Sequence, residues 1–232
     1  APLVDGESFS RRRGEIVGMF GTIGSGTEQL VRALFGSAAG SVCGTIKIDG
    51  RPISLRAPAD AIAHGIAFLP GERQESSVSS MSVLMNASLA ALGGLSRFGL
   101  IDRAAEMSTV QKLLRRLQVK YGSVDQSIAQ LSGGNQQKVL VSRWLAVDPR
   151  VLILEEPTRG VDVGARADLY ALIDELAQTG LAILLVSSDL EEVLGMSDRV
   201  IVVHDGRVAL SAGRKETSEE LVLSAATSGA YA

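Results

Sequence analysis

Leu131-Ser-Gly-Gly-Asn-Gln-Gln137 is the stretch on which the reading of this 232-residue chain turns. A serine and two consecutive glycines stand directly before an amphipathic run, Lys138–Ala146, that carries Arg143 and Trp144. Backbone N–H groups at a helix start lack intrahelical acceptors, and the helix dipole turns its positive end the same way, so the loop reads as an anion-binding end. Taken alone, the same letters also read as a serine N-cap with two flexible neighbours. The sequence on either side separates the two.

Downstream, Val151-Leu-Ile-Leu-Glu-Glu-Pro157 is an apolar strand that ends in two carboxylates. A strand of this kind delivers both groups to the carboxyl edge of a sheet, where a nucleoside triphosphatase needs a Mg²⁺ ligand and a base that orients water. Glu156 holds the place of the base. Glu155 holds the place of the metal ligand, one methylene longer than the usual Asp, which disturbs the near-octahedral geometry that small Mg²⁺ demands. In isolation the two acids equally read as caps before the Pro-Thr-Arg-Gly turn.

Upstream, the strand-like run Ile16–Phe20 leads into Gly21, Thr22, Ile23, Gly24, Ser25, Gly26, Thr27 and Glu28, then into helical spacing over Gln29–Phe35. The glycines match the frame of a phosphate-binding loop, G-x-x-x-x-G-K-[ST], whose main-chain N–H groups curl round a phosphate. By itself such a turn is also compatible with mere tight turning. Thr27 stands where a lysine would reach the β- and γ-phosphates, and Glu28 where a hydroxyl would hold Mg²⁺. A carboxylate at that place is expected to face the phosphates and oppose them.

Further strands are predicted at Ile66–Leu69, Val151–Leu154, Ile183–Val186 and Val200–Val203, as short apolar runs bounded by Gly, Asp or Pro. Gly44–Ile48 and Arg207–Ser211, each beside an Asp-Gly pair, read as turn-bounded antiparallel edge strands, which makes the sheet mixed. Between Met81 and Val147 strand spacing gives way to helices over Val83–Leu92, Arg103–Leu117 and Gly134–Val147. One domain is expected, with a core at 1–70 and 148–232 and a helical subdomain at about 71–147. Residues Ala1–Arg13 read as a truncated first strand, and Arg11-Arg12-Arg13 as a solvated turn.

Composition narrows the function. Hydrophobic residues make up 46% and formal charge is −3, which supports one sizeable core and argues against a general polyanion binder, so no nucleic-acid partner is expected. The lone Cys43 excludes an internal disulfide and has no metal-ligand spacing around it; it reads as a core or edge thiol. No run is long enough to span a bilayer and no signal peptide opens the chain, so a cytosolic location is expected. His204-Asp205 ends a strand other than the one that would face phosphates, and His64 reads as a helix C-terminal partner.

With these residues in place, Leu131–Gln137 resembles the signature loop of ATP-binding-cassette ATPases, and Val151–Asp162 their Walker B strand and D-loop, Asp162 being the D-loop acid. The phrases Leu131–Lys138, Glu156-Pro-Thr-Arg-Gly-Val-Asp-Val-Gly-Ala165 and Ser187-Ser188-Asp189-Leu190 are similar to the second cassette of simple-sugar importer ATPases. The resemblance implies an α/β phosphate-loop NTPase core with a mixed sheet and an inserted helical subdomain. It implies ATP and Mg²⁺ as cofactors, both weakly held at this domain's own site. As partners it implies an N-terminal cassette of the same polypeptide, transmembrane permease subunits and, indirectly, a sugar-binding protein, at the cytoplasmic face of the inner membrane.

Against the active pattern, the resemblance places Ser188 at the switch histidine and Gly71 at the Q-loop glutamine; with Thr27 and Glu155 that makes four altered positions. Leu131, Ser132, Gly133, Gly134, Asn135 and Gln136 are intact, so the implied role is to complete the partner cassette's ATP site. Gly71–Ser80 and the start of Met81–Leu92 are expected to receive a permease coupling helix. The alternatives are a fully active cassette, opposed by Thr27 and Ser188; a translation or repair ATPase, opposed by the lack of basic arms; a non-catalytic nucleotide sensor; and an importer ATPase for another solute such as a nucleoside.

Overall fold

The computed structural model describes residues 14–40, 42–72 and 76–229. The expected strand over Ala1–Arg13, the Arg11-Arg12-Arg13 run and Arg73 lie outside them. The chain divides into two compact units: the described residues of Ala1–Phe68, Arg150–Glu156 and Asp174–Ala232 form unit 1, and those of Leu69–Pro149 and Pro157–Ile173 form unit 2.

Unit 1 is built on strands β1 (Ile16–Gly21), β7 (Val151–Glu155), β8 (Ala182–Ser187), β9 (Arg199–His204) and β10 (Arg207–Gly213). With β4 (Ile66–Leu69) they form a six-stranded sheet in the order β10-β9-β1-β8-β7-β4. β1 runs parallel to both neighbours, with Ile16 opposite Ile183 and Gly18 opposite Val200, while β10 closes the edge antiparallel to β9. All six residues of β1 and of β8 are buried. That is why these strands read as unbroken apolar runs: a parallel strand covered on both faces has no polar side to show. Helices α1 (Thr27–Leu34), α7 (Leu190–Met196) and α8 (Glu219–Ser228) pack on the sheet, and α8 with Phe20, Val200 and Val202 encloses one core around Val222, Ala225 and Ala226.

Three expectations change. β2 (Ile46–Ile48) is antiparallel as expected, but among the described residues it pairs with β3 (Arg51–Ile53) in a two-stranded sheet of its own. Asp49 and Gly50, at φ 49° and 76°, make the tight turn between them, as Asp-Gly is suited to do. Cys43 is exposed and precedes β2, so it is not a core thiol. The stretch from Met81 to Val147 is not purely helical: β5 (Ser96–Arg97) and β6 (Leu100–Ile101) form a hairpin there. Its turn residues Phe98 and Gly99 both take positive φ, a geometry Phe seldom adopts and sequence spacing does not announce.

Unit 2 is otherwise helical: α3 (Val83–Ser88), α4 (Arg103–Arg116), α5 (Gly133–Leu145) and the first turns of α6 (Val163–Gln178). α3 and α4 pack on α5 around Val83, Ala87, Val110, Leu114, Val139 and Leu140, all fully buried. Ser82 caps α3 by accepting Met85 N–H, and Asp102 caps α4 by accepting Ala104 and Ala105 N–H. No helix among the described residues is long and apolar enough to cross a membrane.

Candidate functional site

In unit 1, β1 delivers Gly21 to the carboxyl edge of the sheet and the chain turns through Gly21–Glu28 into α1. Ser25 N–H donates to Thr22 O at 2.9 Å, and Gly24 and Gly26 take φ of 85° and 101°. Only glycine reaches that region without strain. A Cβ on Gly21 would sit 2.3 Å from Ser25 Oγ, so the loop closes only over a hydrogen. Ser25 is buried, and its carbonyl accepts Gly206 N–H at 2.7 Å, which ties the loop to the β9–β10 turn. The N-cap of α1 is Gly26 and has no side chain to spend on the helix N–H groups. This cradle fits a phosphate.

The side chains fit less well. Thr27 Oγ1 lies 3.4 Å from Ser25 Oγ, turned back onto the loop. Glu28 Oε1 accepts from Arg32 Nε at 3.0 Å, one helical turn along. The expectation that Glu28 faces the phosphates is therefore corrected: an i,i+4 cation draws the carboxylate along the outside of α1. With that carboxylate mostly exposed, the pair contributes a few tenths of a kcal/mol, about the scale of helix ion pairs. The main chain suits a phosphate, but Glu28 stands where the resemblance puts the hydroxyl that would complete a Mg²⁺ ligand set.

Two strands away, Glu155 ends β7 half-buried, in register with Val186 of β8, as Phe20 is with Ser187. Glu156 follows at φ 43° and donates its N–H to Val186 O at 2.7 Å. Its Oε1 accepts Ser188 N–H at 2.6 Å and its Oε2 accepts the Ser187 hydroxyl at 3.4 Å. The structure thus brings together the base position and the switch position. The carboxylate is held by the main chain of the residue that stands where the resemblance puts a histidine. Asp189 then caps α7 through Glu191 and Glu192 N–H.

Unit 2 holds the signature loop. Leu131 is buried and its carbonyl accepts Gln136 Nε2 at 2.9 Å. Ser132 is the N-cap of α5, and Gln136 N–H to Ser132 O at 2.9 Å is the first bond of the helix. The Ser132 side chain does not cap it, so the N–H groups of Gly133, Gly134 and Asn135 are left without an intrahelical acceptor. A Cβ on Gly134 would lie 2.9 Å from Ala165 Cβ, because the segment opening α6 passes directly over the first turn of α5. In that segment Asp162 is exposed, and its carbonyl accepts Ala165 and Arg166 N–H at 2.8 and 3.1 Å. Gly71 lies half-buried in a bend after β4.

Beside the signature loop is a cleft of about 310 Å³ that sequence reasoning did not foresee. Gln118, Lys120, Lys138 and Asp168 line it together with Ser132 and Asn135, and Lys138 Nζ lies 3.6 Å from Asp168 Oδ2. Lys120 is remote in sequence from the loop; only the way α4 ends places it there. The histidines lie elsewhere, as expected. His204 Nδ1–H donates to Ala226 O at 2.6 Å, and His64 is the C-cap of the helix Pro58–Ala63.

Comparison with known proteins agrees with this geometry. The family model described as ABC transporter matches residues 4–159. A ribose import ATP-binding protein of Streptomyces avermitilis is 46% identical over 226 residues, 97% of this chain and 45% of that protein. A xylose import ATP-binding protein of Geobacillus kaustophilus is 42% identical over 223 residues, 96% of this chain and 44% of that protein. The chain therefore spans less than half the length of these relatives. A nucleotide-free ATP-binding cassette from an ABC transporter has the same fold, with a TM-score of 0.81 at 24% identity over 95% of this chain and 91% of that one. The ADP conformation of MJ1267, an ATP-binding cassette of an ABC transporter, superposes with a TM-score of 0.79 at 22% identity, over 97% of this chain and 89% of that one.

Proposed function

This chain belongs to the ABC transporter family, and from that premise we propose that it is a nucleotide-binding domain of an ATP-driven sugar import system whose working face is its signature loop. The relatives named for ribose and xylose import support the solute class, and their greater length supports a tandem subunit in which a second cassette precedes this one. The domain acts at the cytoplasmic face of the membrane through permease subunits, which receive sugar from an external binding protein.

One observation carries this reading. The signature loop presents N–H groups that no side chain caps and a serine whose hydroxyl takes no part in capping, whereas the phosphate loop has Thr27 and Glu28 in place of the ammonium and hydroxyl, Glu28 being paired to Arg32. The two faces are unequal. Ser132 and the Gly133, Gly134 and Asn135 amides stabilise charge on the γ-phosphate of an ATP held mainly by the partner cassette, as preorganised donors do in a site closed to water. The local site holds a phosphate through the Gly21–Gly26 main chain and hydrolyses it poorly. Mg²⁺, when bound with nucleotide, would supply charge neutralisation there; Glu155, at the end of β7, is the acid that would meet it, with Glu28 in place of the usual hydroxyl partner.

The test compares Ser132→Arg with Glu156→Gln in the complete subunit with its permease and saturating ATP. Ser132→Arg should lower transport-coupled hydrolysis by about two orders of magnitude, the scale of one lost anion contact, and Glu156→Gln by much less. Equal and severe loss in both would mean that this domain hydrolyses ATP at its own site, and the reading would fall.

A further inference from the structure

In unit 2 the side chain of Asn135 lies between a main-chain donor and the Ser132 hydroxyl. Lys120 N–H, which can only donate, meets one end of that side chain at 2.7 Å, so that end is the carbonyl Oδ1. The other end is then Nδ2, which can only donate. It lies 2.8 Å from Ser132 Oγ. A hydroxyl has one proton and two lone pairs; here a lone pair receives Asn135, and the proton is directed elsewhere. Neither helix capping nor any other partner among the described residues uses it. The chain of donors has a fixed origin. α4 ends with Gln118 at φ 51°, and Gln118 and Val119 N–H return to Arg115 O and Leu114 O at 3.1 and 2.9 Å, which sets the direction of Lys120 N–H.

We propose that Asn135 is a positioning residue that fixes the proton polarity of Ser132, holding its hydroxyl as a donor toward the γ-phosphate of a nucleoside triphosphate on the partner cassette. The inference rests on the signature-loop reading above. A phosphate offers only acceptors, so a serine that presented a lone pair would repel it. Lys120, in the same cleft, suits the same anion, while Lys138 there is paired with Asp168.

The experiment uses the full-length subunit assembled with its permease in proteoliposomes, with kcat read at saturating ATP. Asn135→Asp is isosteric and still accepts Lys120 N–H, but its other oxygen compels Ser132 to donate to it. Ser132→Ala and Asn135→Asp should each lower kcat about 100-fold. Added to Ser132→Ala, Asn135→Asp should cost no more than about a further twofold, since the proton it misdirects is gone. Asn135→Ala, which frees the hydroxyl without reversing it, should fall between wild type and Asn135→Asp. If the Asn135→Asp loss persists undiminished in the Ser132→Ala background, the effect is charge or local structure and the inference is overturned. The same follows if Asn135→Asp is harmless or if Asn135→Ala is the more damaging change. Full turnover in Ser132→Ala would instead overturn the signature-loop reading itself.

Discussion

At Gly134 the first turn of α5 meets Ala165 so closely that a methyl group has no room. Gly134→Ala should destabilise the protein by about 1–3 kcal/mol, the usual cost of overpacking. Gly164→Ala, only one residue from that contact, has nothing within 4 Å of its added Cβ and takes a helical place in α6. It should be neutral or stabilising by up to about 1 kcal/mol. Urea unfolding of both variants checks the contrast, and equal effects would remove the close approach as the reason for glycine. Thr27 and Glu28 give a second prediction. The phosphate cradle is intact in the main chain, so wild-type protein should bind Mg-ATP only in the high-micromolar range, about −5 to −6 kcal/mol. The Thr27→Lys, Glu28→Ser double variant should tighten this at least tenfold, about 1.4 kcal/mol, and titration calorimetry measures it. Unchanged affinity would place the defect elsewhere in the site. The loop itself was legible from its glycines; the i,i+4 spacing of Glu28 and Arg32 permits their pairing, but spacing alone does not decide between that cation and the loop.

Helix α5 links two places in unit 2. At its start is the signature loop; two to three turns on, buried Arg143 donates to Asn86 O at 2.7 Å, to Asn86 Oδ1 at 2.9 Å and to Ser76 O at 2.5 Å. Asn86 in turn accepts Val78 N–H at 3.0 Å and donates to Val78 O and Ser82 O, so one Arg and one Asn fasten the Ser76–Ser82 loop to α3 and α5. Burial lowers the Arg143 guanidinium from its ordinary range to about 10, which still leaves it cationic at neutral pH, with every donor present. Arg143→Ala should therefore cost about 3–5 kcal/mol, as removal of a buried hydrogen-bonded charge from its acceptors does. Arg143→Lys should recover less than half of that, because a point ammonium cannot reproduce the planar fork. Chemical denaturation of the two variants is the measurement; full recovery with Lys would mean that charge alone matters. Sequence gave the elements that burial dictates: the doubly covered strands β1, β7, β8 and β9, and the helices over 83–88, 103–116 and 133–145. It placed β2 and its Asp-Gly turn but missed the partner strand β3 and the whole β5–β6 hairpin, whose strands are two or three residues long and half or fully exposed, too short for any period to register. It also could not show that Lys120 N–H reaches Asn135, because that contact depends on a helix C-terminus and not on spacing.

For the molecule in its assembly, the expected permease contact falls on unit 2 beside the fastened loop. Met85 and Leu89, four residues apart, are exposed there at 42% and 37%. With Cys43, which is exposed, first changed to Ser, a cysteine at Met85 should cross-link to a cysteine in a cytoplasmic permease loop, and one at exposed Asp168, in the cleft beside the signature loop, should not. The reverse pattern, read on a gel, would move the docking face. The strand order of unit 1 also bears on how the protein is made. β1 leaves the ribosome long before either neighbour does: Ile16 waits for Ile183 and Gly18 for Val200. At about 5–20 residues per second, β1 spends roughly 10–30 s with both edges unpaired. An apolar strand in that state invites pairing with other chains, so nascent protein depends on being shielded until the sheet can close. Ribosomes halted at Gly180 should hold unit 1 open to protease, and those halted after β10 has cleared the exit tunnel should hold it resistant. The late pairing of β1 makes the interval between the synthesis of β1 and that of β9 the one in which this fold is either completed or lost to aggregation.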